Sequence, residues 1–241
     1  MAQNIILIET STALCSVALA ENGQITAYRE SSAPKAHASL TAVFIQEMLA
    51  ERGLNIADCD AVCVSKGPGS YTGLRVGVST AKGLCFGARK PLLAVGTLDT
   101  LVAQASAEID KASLKICADA KFIIPMIDAR RMEVYAAVFA CHPGSAPYRQ
   151  ITETAPAIID ENSFAEYLEQ GSCLFIGDGA GKCADVIKHP NAHFCQCHPK
   201  ASSMLVPAMA ALNEKRFKDV AYCEPFYLKE FVATVSKKKL F

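Results

Sequence analysis

The chain has 241 residues, 51% of them apolar and 20% charged, enough for one large globular domain or two small ones with a sizeable core. Its 24 basic residues balance its 24 acidic ones, which argues against a stand-alone nucleic-acid binder, since such proteins draw much of their affinity from a basic face. No apolar run approaches the roughly 18 residues of a membrane span. The N-terminus, MAQNIILIETST, lacks a basic leader segment and reads as a strand of a cytoplasmic protein. Eleven cysteines do not make a disulfide framework in that compartment; Cys15, Cys63 and Cys173 sit in apolar segments as small hydrophobes. The basic run SKKKL, Ser236 to Leu240, reads as a solvated tail, so any action on nucleic acid goes through a partner.

Strand-like and helix-like segments alternate along the chain, an α/β pattern. Ile5 to Ile8, Ser16 to Ala20 and Ile25 to Tyr28 form a strand meander. A helix over HASLTAVFIQEMLAERG follows, with Leu40, Val43, Phe44 and Met48 on one face and Gly53 as its stop. Then come a strand, Ala61 to Ser65, the stretch GPGSYTGLRVGVSTAKGLCFG and a short strand leading into a third helix, PLLAVGTLDTLVAQASAEI. The second half repeats this plan. IIPMIDARRMEVYAAVFACHPG matches IILIETSTALCSVALAENG with Asp128 on Glu9, and LFIGDGAGKCADVI repeats the strand, glycine turn and helix. Two duplicated α/β halves with a cleft between them account for this. The expected domains are 1–108 and 109–222, with a boundary near Ser106 to Lys121, and 223–241 forms an extended docked segment and tail.

The glycine stretch invites a phosphate-loop reading, and its spacing defeats the two common ones. Walker A needs lysine after the second glycine, and here Leu74 follows Gly73. The dinucleotide fingerprint needs G-x-G-x-x-G, whereas Gly67, Gly69 and Gly73 make G-x-G-x-x-x-G. The informative period lies in the helix behind the loop. Gly73, Gly77 and Ala81 recur every four residues on one nearly bare face, flanked by Thr80 and Gly83. Helical glycine costs up to about 1 kcal/mol relative to alanine, so close backbone contact must compensate it, either inside the fold or at a subunit interface.

GPGSYTGLRVGVSTAKGL, ILIETST, DARRMEVYAAVF, GDGAGK and EPFYLK together resemble the bacterial TsaB (YeaZ) family of tRNA threonylcarbamoyladenosine biosynthesis proteins, over nearly the whole chain. The resemblance implies an actin-like, ribonuclease H-like fold of two duplicated domains. It also implies a non-catalytic subunit that binds a TsaD-like catalytic subunit, is joined by a TsaE-like ATPase, meets tRNA only through the complex and pairs with itself when alone. The subunit interface would then be the bare helical face: Gly73, Leu74, Gly77, Thr80, Ala81 and Leu84. The sister subunit's metal rests on an H-x-x-x-H pair after the strand that follows the glycine helix. Thr97 and Leu101 stand there in this chain, and neither ligates iron or zinc, so no metal is expected.

The resemblance further implies a vestigial Mg·ATP site at Glu9, Thr10, Ser11, Gly67, Gly69, Ser70, Asp128, Arg130, Gly177 and Gly179, and no required cofactor. Against that, the hydroxyls from Thr10 to Thr12 equally satisfy a tight turn, and Asp128, Arg130 and Arg131 suit either phosphate or hairpin salt bridges. His37 reads as a packing or capping residue at a helix start. In HPNAHFCQCHP, His189 and His193 imitate a helical metal pair, but Pro190 opposes a helix, and Ala192 to Cys197 alternates like an edge strand beside His198. Two rival functions remain. An autonomous actin-like ATPase or small-molecule kinase would bind Mg·ATP tightly, and a metallopeptidase would need an H-E-x-x-H that the chain lacks.

Overall fold

The computed structural model describes residues 3–110, 120–142 and 145–229. Its first half begins with β1 (Asn4–Glu9), β2 (Cys15–Glu21) and β3 (Gln24–Ser31), then α1 (Ala36–Glu51), β4 (Ala61–Ser65), α2 (Tyr71–Ala88), β5 (Leu92–Val95) and α3 (Thr97–Asp110). The second half has β6 (Phe122–Asp128), β7 (Glu133–Ala136), β8 (Phe139–His142), β9 (Ser145–Gln150), β10 (Ala155–Ile158), α4 (Ala165–Leu168), β11 (Cys173–Gly177), α5 (Ala180–Cys183), β12 (Ala192–Gln196) and α6 (Leu205–Asn213). No helix among the described residues is long and apolar enough to cross a membrane.

The duplication read from two hairpins extends to the whole sheet. The first sheet runs β3-β2-β1-β4-β5 and the second β10-β7-β6-β11-β12, with an added β8–β9 hairpin on β6. In each, the opening hairpin is antiparallel and the next two pairings are parallel. β1, β4 and β11 are buried along both faces, which is why their sequences are unbroken apolar runs rather than alternating ones.

Five layers result. Ile6, Ile8, Val17, Leu19, Val62 and Val64 face α1 and α2, whereas Ile5, Leu7, Cys63 and Leu93 face Met204, Ala208 and Ala211, at and before α6. On the second sheet, Ile124, Met126 and Phe175 meet Leu168, Ala180 and Cys183 of α4 and α5. Its other face, with Ile123, Ile127, Leu174 and Ile176, meets Leu98, Leu101, Val102 and Ala105 of α3. Each half therefore lends one helix to the other's sheet.

This exchange corrects the expected domain limits. α3 runs through the boundary at 108 and covers the second sheet, while α6, expected in the domain 109–222, covers the first. Much of the expected Ser106–Lys121 boundary, and the SKKKL tail, lie outside the described residues. The face of α1 is also corrected: its buried stripe is Thr41, Ile45, Met48 and Leu49, and Val43 is 41% exposed. Thr41 hides the true period because its hydroxyl, bonded to the His37 carbonyl at 2.6 Å and beside the Cys15 Sγ at 3.3 Å, lets a polar residue hold a buried position.

Candidate functional site

The glycine loop leaves β4 through Gly67 at φ +113°, and Ser70 caps α2 by accepting a bond from the Gly73 amide at 3.3 Å. Behind it, the bare face of α2 is pressed onto the chain's own first turn. A Cβ on Gly69 would overlap the Ser11 carbonyl, one on Gly73 the Thr10 carbonyl, and one on Gly77 the Thr10 hydroxyl. Leu74 and Ala81 are buried as well, Leu74 beside Gly67 and Ala81 in the core over the first sheet. Gly73, Leu74, Gly77 and Ala81 are thus spent internally, and this face of α2 is not the free surface the interface expectation assumed. Thr80 and Leu84 are half-buried beside them. The close approach is the compensation that the helical glycines require.

α2 carries a second set of small residues that the fold does not use. Nothing lies within 4 Å of a Cβ placed on Gly83 or Gly87, and Phe86 between them is 82% exposed.

The first turn itself is dry and polar. Glu9, Thr10 and Ser11 are fully buried, and a Glu9 carboxylate oxygen accepts the Ser11 amide at 2.7 Å. Burial pushes the Glu9 carboxyl from 4.5 up to about 7, opposed by the Ser11 bonds. Thr12 is buried with no partner for its hydroxyl among the described residues.

The matching turn of the second half is open to water. Asp128 accepts the Arg130 amide at 2.8 Å, and the Lys182 ammonium holds Asp128 together with the carbonyls of Arg131 and Glu133 at 2.7 and 2.6 Å. Arg130 and Arg131, both at positive φ, are exposed, and neither makes an ion pair among the described residues. Of the two glycines in GDGAGK, Gly177 packs on the Met126 carbonyl and Gly179 on Val134, at 2.9 Å from a would-be Cβ. Burial also raises the Asp178 carboxyl, which accepts the Asp128 amide at 2.9 Å.

Between the turns lies a cleft of about 660 Å³. It gathers Ser11, Gly69, Ser70, Asp128 and Arg130 of the expected site, with His37, whose Nε2 sits 2.9 Å from the Thr12 carbonyl. Glu9 and Thr10 lie beneath its floor, Gly67 lines a separate cavity of about 380 Å³, and Gly177 and Gly179 serve packing. Sequence reasoning missed Lys182, Asp178 and the segment Phe226–Lys229, which also line or brace the cleft. GDGAGK contained the first two, but nothing local aims a lysine at a turn some fifty residues earlier. Thr97 and Leu101 are both fully buried on α3: Thr97 is 2.8 Å from the Ser65 hydroxyl, and Leu101 packs toward Gly177. His189 and His193 stand on either side of the β12 start, with the His189 ring accepting the Asn191 amide at 3.1 Å.

Two sheets of one topology, sharing exchanged helices and a cleft between matching turns, define the actin-like fold. The solved structure of YeaZ from Pseudomonas aeruginosa superposes with a TM-score of 0.79 at 26% identity, covering 94% of this chain and all of that one. The TsaB protein of Escherichia coli is 31% identical over 234 residues, 95% of this chain and 96% of its own length. That of Haemophilus influenzae is 41% identical over 135 residues, 55% of this chain and 53% of its own. The family model of TsaD, tRNA N6-adenosine threonylcarbamoyltransferase, matches residues 30–237. The chain belongs to the TsaB (YeaZ) family of tRNA threonylcarbamoyladenosine biosynthesis proteins, within the group that the TsaD model spans.

Proposed function

We propose that this chain is the non-catalytic partner of a TsaD-like subunit in forming threonylcarbamoyladenosine in tRNA, in the cytoplasm. One observation carries the reading: the two positions that bear the sister's histidine pair hold Thr97 and Leu101, whose side chains are sealed in the core. Without that pair there is no electrophilic centre to polarise the transferred carbonyl. The chain then acts by docking, and a TsaE-like ATPase and tRNA join through the complex.

The docking face is the outer side of α2, at Gly83, Phe86 and Gly87. Two helical glycines with no internal contact cost the free chain about 1 kcal/mol each, and a large exposed aromatic between them adds an apolar surface. A partner helix laid on that face recovers both. In the absence of the sister, a second copy of the chain occupies the same face. Gly83→Leu and Phe86→Asp should leave the monomer folded and abolish co-purification with the TsaD-like subunit. Retained binding by both overturns this face, and modification that persists when the chain is omitted from a reconstituted system overturns the role.

The second reading, a Mg·ATP-binding chain, is favoured by the unpartnered Thr12 hydroxyl, buried beside the cleft. Against it stands Glu9, buried and hard to ionise, its carboxyl raised to about 7, a poor group to organise a hydrated magnesium. Calorimetry with Mg·ATP decides: micromolar binding with turnover favours the ATPase.

A further inference from the structure

After α6 the chain crosses back over the first half and ends its described course on the second. The Lys218 amide bonds to the Leu92 carbonyl at 2.8 Å, beside the edge of β5. The Lys82 ammonium on α2 holds the carbonyls of Ala221 and Cys223 at 2.9 and 3.2 Å. Next, the Phe226 amide bonds to the Lys66 carbonyl at 2.6 Å, and the Phe226 carbonyl sits over Gly67, 2.9 Å from where a Cβ would stand. Arg75 donates to the Tyr227 hydroxyl at 3.1 Å and lies 4.1 Å above the Tyr71 ring, which is itself 5.0 Å from the Tyr227 ring. Finally Lys229 crosses the cleft to pair with Glu133 on β7.

Two features separate this strap from the rest of the inter-half contact. It walls three cavities: Phe226 lines the one at Gly67 and the main cleft, and Cys223, Glu224, Pro225 and Tyr227 line a third of about 500 Å³ against α2. Its hold on the core is shallow: no residue from 214 to 229 is fully buried, and Val220 and Cys223 pack only half-buried against the core of the first half. α3 and α6 join the halves through buried apolar side chains; beyond Cys223 the strap is held by hydrogen bonds, a tilted ring contact and one ion pair near solvent. Segments held in this way open at free energies far below that of global unfolding.

We propose that residues 218–229 are a releasable latch, which fastens the two halves at the mouth of the cleft and exposes it on detachment while both sheets stay folded. Release begins at the Lys229–Glu133 pair, the contact with the least support, and proceeds past Tyr227 to Phe226. Loss of Phe226 then uncovers Gly67 and the start of α2.

Hydrogen exchange on the full chain, read by mass spectrometry, tests this. Segment 218–229 should exchange much faster than β1 and β6. Arg75→Ala and Lys229→Ala should each speed exchange in 218–229 and in the loop 66–70 by about five- to tenfold, leaving β1 and β6 unchanged. Glu133→Gln should reproduce the effect of Lys229→Ala, since it breaks the same pair from the other side. The latch is overturned if the strap exchanges in step with the sheets, if the variants change nothing, or if they speed every segment alike, as simple destabilisation would.

Discussion

Glu9 and Asp128 close the same strand in two copies of one sheet, yet one is sealed from solvent and the other lies beside water and a lysine. The difference traces to the helix that follows each glycine loop. α2 has 18 residues and lays Gly73 and Gly77 directly on the first turn, whereas α5 has 4 residues and covers little of the second. A long bare helix dries its turn, so the acid there becomes hard to ionise. A short one leaves its turn wet, and Lys182 neutralises the acid instead. Equivalent topology therefore fixes where an acid sits without fixing its charge.

Breaking the dry turn gives the largest expected effect. Gly73→Leu or Gly77→Leu drives a side chain into the Thr10 backbone or hydroxyl and should cost at least about 3 kcal/mol, read as loss of the cooperative thermal transition. Gly179→Ala meets Val134, the Asp128 amide and the Ile127 carbonyl carbon less closely, and should cost about 1 to 2 kcal/mol in the same measurement.

Next comes the charge of the first acid. The folded-state Glu9 carboxyl lies near 7 against 4.5 for the unconstrained group, so folding takes up a proton between those values and stability falls as pH rises through that window. Glu9→Gln removes this loss. It should stabilise the chain by up to about 3 kcal/mol above pH 7 and by little at about pH 4, with a flatter dependence of melting temperature on pH between them. A variant with the wild-type slope would mean that Glu9 ionises freely in the fold. Asp128→Asn, its counterpart, should cost about 1 kcal/mol or less at neutral pH by weakening the hold of Lys182. An effect of similar size and opposite sign belongs to the unused face of α2: Gly83→Ala should raise the melting temperature by about 2 to 4 °C, because nothing opposes the added methyl group.

Sequence carried the sheets well because their information is local. Apolar runs such as IILI and AVCVS announce strands buried on both faces, and the match of Glu9 with Asp128 foreshadows the shared sheet order. The period of Gly73, Gly77 and Ala81 likewise announces close packing. It does not say against what, since an own turn and a partner's helix demand the same small residues; here the own turn took that face. The sheet that α6 covers was equally hidden, because its partners lie nearly two hundred residues earlier and any apolar face would have suited it.

The exchange of α3 and α6 also sets an order of events during synthesis. β1, β4 and β5 leave the ribosome early, but the face holding Ile5, Leu7, Cys63 and Leu93 finds its cover only when Met204 to Ala211 emerge, more than a hundred residues after β5. α3, made in time to help its own half, belongs to a sheet not yet made. Between the synthesis of α3 and that of β11 the nascent chain thus carries two apolar surfaces awaiting partners, and a chain released in that interval would keep both.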